Sequence, residues 1–122
     1  MNAKELMIGD WVINTEGKEQ IRDVVRKISP EFLGLRYSRR YVPIECIEPI
    51  PLTPEILERN GFSEDYRYDD LSYIQSCGAV TGIHINGKNG LMDEMYLKYV
   101  HELQHAFRML QFDDLADNFK VI

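Results

Sequence analysis

His101-Glu102-Leu103-Gln104-His105 is the one stretch of this 122-residue chain that spells a reaction, because H-E-x-x-H is the string with which zinc peptidases hold their metal. On a helix the two imidazoles stand one turn apart and can share a zinc ion, with the intervening carboxylate beside the metal-bound water as general base. The rest of such a site is missing. A catalytic zinc takes a third protein ligand, and the metzincin pattern would place Gly at 108 and His or Asp at 111, where this chain has Arg108 and Gln111. A later helix could offer only Asp113, Asp114 or Asp117, and His84 is a distant alternative. At about 100° per residue, the apolar series Tyr96, Tyr99, Val100, Leu103, Phe107 and Leu110 lies opposite His101 and His105, which share their face with Arg108. The expectation is two surface or half-buried histidines and no metal or other cofactor. A small zinc hydrolase using His101 and His105, with Glu102 as base, is the alternative.

A second constellation is Arg36-Tyr37-Ser38-Arg39-Arg40-Tyr41, where three guanidinium groups interleave with two phenol rings. Arg36, Tyr37, Arg39, Arg40 and Tyr41 could stack on bases and grip phosphates, or sit at a hairpin tip and pair with carboxylates. Charge weighs against nucleic acid. The net charge is −6, and residues 46–122 carry it, with 6 Lys and Arg against 13 Asp and Glu, whereas residues 1–45 have 8 against 7. Asp69-Asp70 and Asp113-Asp114 suit turns and caps better than paired catalytic acids. The chain has no G-x-S-x-G, no phosphate-cradling glycine loop and no close Cys-His pair, so a binding protein is favoured over an enzyme.

These residues must be positioned by one ordinary domain, or by two very small modules sharing a core. The composition, 44% hydrophobic and 28% charged, is that of a packed globular protein. No apolar run approaches the roughly 18 residues of a membrane span, and Met1–Leu6 lacks the apolar region of a signal peptide, so the expected location is the cytoplasm and no membrane partner is expected. Cys46 and Cys77 have no paired spacing and are expected to be reduced.

Leu6–Ile13 has strand composition with a bend at Gly9-Asp10, and Asn14–Lys18 is a turn. Glu19–Ile28 fits a helix by the spacing of Ile21, Val24, Val25 and Ile28, but its Val and Ile content and flanking turns favour a strand. Phe32–Tyr37 is another strand, and Tyr41–Ile44 a short edge piece because Pro43 cannot donate to a ladder. Residues 47–54 hold three of the five prolines and read as a stiff connector. Thr53 can cap a helix over 54–60 that begins with Pro54 and Glu55 and is stopped by Gly61, with Phe62 folding back. Tyr66–Gln75 and Ala79–Ile85, followed by the Asn86–Gly90 loop, suggest an antiparallel meander. A last helix covers at least 99–111 and begins at Asp93 or Tyr99.

At the connector and the last helix the chain resembles a family of small uncharacterised proteins from gut Bacteroidetes genomes and their phages or mobile elements. The matching stretches are Glu5–Val12, Ile47–Leu57 with Gly61-Phe62, and Tyr99–Gln104, the most specific being I-x-P-I-P-L-T-x-E. The family brings no activity. Its members read Asn where this chain has His105, so the resemblance implies no metal site.

The expected fold is α+β: an SH3-like small β-barrel or curled sheet over 1–46, then a 47–122 segment of connector, short helix, antiparallel meander and C-terminal helix packed as one unit. The expected function is that of a cytoplasmic binding or adaptor protein whose seven Tyr and one Trp suit protein partners, with a second copy of the chain left open as a partner.

Overall fold

The computed structural model describes residues 1–64, 71–76, 79–86 and 92–121. The chain is α+β and divides into two compact units, Met1–Ile50 and Pro51–Ile122.

In the first unit, five antiparallel strands lie in the order β4-β3-β2-β1-β5: β1 (Trp11–Asn14), β2 (Ile21–Ile28), β3 (Phe32–Leu35), β4 (Val42–Pro43) and β5 (Ile47–Glu48). The sheet is curled and does not close into a barrel. The curl has a local cause. The long strand β2 pairs with β1 through Ile21–Val24 and with β3 from Val25 onward, and its register slips between Val25 and Lys27. Such a bulge bends the strand and sharpens its twist. The helical alternative for 19–28 fails because Ile21 and Ile28 lie exposed while Asp23, Val24 and Val25 are buried in succession.

Leu6, Val12, Val25, Leu33, Leu35, Val42 and Ile47 form the core of this unit, with Ile44 and the free, half-buried Cys46 against it. The expected strand from Leu6 begins only at Trp11. Ahead of it, Gly9 takes φ 96° and the buried Asp10 carboxylate accepts the Met7 N–H at 2.8 Å, so Met7–Asp10 is a turn. After edge strand β4 a 3-10 turn (Ile44–Cys46) returns the chain beside β1, where Ile47 and Glu48 pair with Asn14 and Ile13. The start of the expected connector is therefore a strand.

In the second unit, Leu52 N–H donates to the Lys98 carbonyl at 2.9 Å, and Pro51 bridges Tyr99. Helix α1 (Pro54–Arg59) follows from its ends as expected. The Thr53 hydroxyl accepts the Ile56 N–H at 3.2 Å, and Gly61, at φ 87°, lets Phe62 N–H return to the Leu57 carbonyl at 3.1 Å. Strands β6 (Leu71–Ser76), β7 (Ala79–Asn86) and β8 (Met92–Met95) make the antiparallel meander. The parts of that expectation falling on Tyr66–Asp70, Cys77-Gly78 and Gly87–Gly90 lie outside the described residues.

The last helix is shorter than expected. α2 spans Val100–Met109, the Asp93 start is excluded because Met92–Met95 is β8, and Tyr96 is exposed and no part of an apolar stripe. Gln111, at φ 67°, redirects the chain into α3 (Asp113–Asp117), an element not anticipated. Asp113 and Asp114 occupy its first turn, where carboxylates oppose the helix dipole. Fully buried Phe107 is the hub of this unit, 6.0 Å from Phe62, 6.4 Å from Phe112 and 6.2 Å from Phe119 between ring centroids. The Asn60 side chain latches the C-terminal segment: its Nδ2 donates to the Ile56 and Lys120 carbonyls at 2.7 and 2.8 Å, and its Oδ1 accepts the Lys120 N–H at 2.8 Å.

Candidate functional site

The Arg36–Tyr41 segment is the β3–β4 connection, and a buried carboxylate holds it in place. Asp23, on β2, is fully buried beneath the turn. It accepts the Tyr37 N–H at 2.9 Å, the Ser38 hydroxyl at 3.0 Å and the Val24 N–H at 2.7 Å, while Asn14 Nδ2 donates to the Ser38 oxygen at 3.3 Å. With the backbone and Ser38 turned inward, Arg36, Tyr37, Arg39, Arg40 and Tyr41 all stand exposed. The Arg36 guanidinium lies 5.9 Å from the centre of the Tyr37 ring, a cation–π pair within the turn.

The remaining members face a groove that sequence reasoning missed. A cavity of about 550 Å³ is lined by Lys27, Ile28, Ser29, Phe32 and Tyr41. A second, of about 240 Å³, takes Arg26, Lys27, Arg39, Arg40 and Tyr41 among its walls, so Lys27 and Tyr41 are shared by both. Gly34 lies beneath: a Cβ there would come within 3.1 Å of Lys27 Cβ and 3.3 Å of the Tyr41 ring, so this position stays bare for the two to approach. At the far end the Ser29 hydroxyl accepts the Phe32 N–H at 3.2 Å and donates to the Phe32 carbonyl at 2.9 Å, tying off the β2–β3 turn. Among the described residues, no carboxylate lines either cavity. The sequence signal was Ile28 and Phe32 flanking Ser29-Pro30, two large apolar residues at a hairpin tip, where polar ones are the norm.

In the H-E-x-x-H string His105 is half-buried as expected, whereas His101 lies deeper than expected. His101 is buried on α2 with Val100, Leu103, Gln104, Ala106 and Phe107, and His105 is half-buried. The buried face is wider than the apolar stripe because Gln104 satisfies itself internally, donating to the Ala116 carbonyl of α3 at 3.0 Å. The His101 ring stacks on Tyr99 at 6.0 Å and meets His105 edge to face at 5.7 Å. Glu102 is engaged as a cap: its Oε1 accepts the N–H groups of Lys98 and Tyr99, both at 3.0 Å, at the start of α2. Arg108 sits 3.9 Å from Asp117. His84 is buried on β7 opposite Ser72. Among the described residues, no three His, Cys, Asp or Glu side chains are grouped to hold a metal ion.

Elsewhere in the second unit, buried Tyr73 donates its phenol to Glu58 at 3.0 Å. Burial first, and the Glu58 hydrogen bond and charge second, push this phenol up from 10.0 to about 12. Among the described residues, no helix is long and apolar enough to cross a membrane. Comparison with protein-family models, with curated proteins and with solved structures finds no match to the chain.

Proposed function

We propose that the protein is a non-enzymatic, cytoplasmic binding or adaptor protein whose first unit, an SH3-like module, engages a protein partner in the groove between the β2–β3 and β3–β4 turns. One observation carries this reading: Ile28, Phe32 and Tyr41, three large apolar or aromatic side chains, lie together on the surface of a small unit and help line an open cavity of about 550 Å³. A soluble domain gains nothing in stability from leaving such groups in water, and clustered exposed apolar surface marks interaction sites. Aromatic anchors in pockets also dominate the energetics of protein interfaces. The SH3-like reading is supported by the β4-β3-β2-β1-β5 order and the 3-10 turn before the returning strand. Kinship with the small proteins of gut Bacteroidetes and their mobile elements belongs to the same proposal, and would place the partner in the host cell or on the element.

The test compares capture of host-cell proteins by the full chain and by a Phe32→Ser/Tyr41→Ser variant of matched melting temperature. A protein retained by the first and lost by the second supports the groove. Equal retention by both rejects it.

A further inference from the structure

We infer that the groove accepts an acidic peptide segment that seats one large apolar side chain in the Ile28–Phe32–Tyr41 cavity and lays its carboxylates along Arg26, Lys27, Arg39 and Arg40. This rests on the binding reading above and gives it a partner chemistry.

The first support is the adjacency of the two cavities. Lys27 and Tyr41 line both, so the apolar and the cationic one adjoin at these two side chains, within reach of one short peptide segment. The second is charge. The first unit has eight Lys and Arg against eight Asp and Glu, but Asp10 and Asp23 are buried and engaged by backbone N–H groups. The other six carboxylates and all eight cations are exposed, and four of those cations line the groove. An otherwise acidic molecule thus concentrates positive charge beside its exposed apolar cluster. Complementary potentials of this kind select partners and speed encounter.

The same cations could meet a phosphate backbone, but three observations favour a peptide. Ile28 offers an aliphatic wall with no π-face for a base. The Arg36 guanidinium already lies on the Tyr37 ring. The net charge of −6 opposes a polyanion over the longer range that phosphate binding uses.

The experiment pans a random-sequence peptide library displayed on phage against the full chain, then measures the enriched peptides by fluorescence anisotropy, with an oligo-dT 12-mer as competing probe. Enriched sequences are expected to carry two or more Asp or Glu next to Leu, Ile, Phe or Tyr. Their affinity should fall by about tenfold or more in Arg39→Glu/Arg40→Glu and in Phe32→Ser, and stay unchanged in Lys18→Glu. Gly34→Leu, which fills the space between Lys27 and Tyr41, serves as an independent block should a charge-reversed variant fail to fold. Enriched peptides without acidic residues that still lose affinity in Phe32→Ser overturn the acidic inference and leave the groove standing. Peptides insensitive to Phe32→Ser and Gly34→Leu overturn both, as does a library that enriches nothing. Tighter binding of the 12-mer than of any peptide overturns the inference in favour of a single-stranded nucleic acid.

Discussion

Tyr73 and Glu102 show how much a side chain's role depends on what its neighbours leave available. Tyr73 is neutral in the fold because burial and the hydrogen bond to Glu58 both disfavour the phenolate, raising its ionisation from 10.0 to about 12. The sign of the linkage follows. The unfolded chain loses this proton near pH 10 and the folded chain retains it, so the stability contributed by Tyr73 is fully present below pH 10 and is lost as pH rises towards 12. Urea unfolding across that window should therefore show a decline in the native protein that is shallower in Tyr73→Phe; parallel declines would refute the assignment. Glu102 was legible in type and not in role. As the middle of H-E-x-x-H it reads as a general base, but with α2 starting at Val100 it is the third helical residue, where Glu bonds back to the N–H groups before the helix. With the start of α2 left between Asp93 and Tyr99, the cap role of the carboxylate could not be read, since only the start decides which N–H groups lie within its reach.

Elements with strong local end signals were readable, and those defined by their neighbours were not. Helix α1 was visible whole because Thr53, Pro54 and Gly61 act within a few residues of themselves. Gly61→Ala should cost about 1 kcal/mol, measured by thermal or urea unfolding. Among the described residues, no atom beyond the two flanking residues lies within 4 Å of the Cβ it would gain, so the loss would come from the backbone at φ 87° and not from a clash. A variant as stable as the parent would mean that another residue adopts this conformation freely. Strand β5 is two residues long, and nothing in Ile47-Glu48 marks it as a strand; its pairing depends on β1, more than thirty positions earlier. Strand β8 and helix α3 were hidden for the same reason, one lying inside a stretch with helical spacing and the other following a left-handed Gln111 that no glycine announced. The groove was half legible: its Arg and Tyr residues form one run, but Lys27, Ile28 and Phe32 join them only through the β2–β3 pairing.

At the scale of the molecule, the α+β class, the curled first sheet and the antiparallel meander were readable from turn spacing and alternation. The proline-rich stretch is anchored on both sides, with Ile47-Glu48 paired to β1 and Leu52 donating to Lys98, and Ile50 between them is buried. Bonds from Ile47 to Thr53 should therefore be cut late in limited proteolysis with a broad-specificity enzyme, followed by mass spectrometry. Early cleavage there, with release of two stable fragments, would contradict this. The Asn60 latch has a consequence for how the chain is made. In the first unit every strand pairing closes within the first 48 residues, whereas Asn60 meets its partner only at Lys120, 60 positions later. During synthesis the groove-bearing unit can complete its sheet while the second still waits for its last segment. A nascent chain stalled between the two would hold an assembled groove on one side and, on the other, an α1 whose cap Asn60 already bonds to Ile56 but still turns to water the groups that Lys120 will engage.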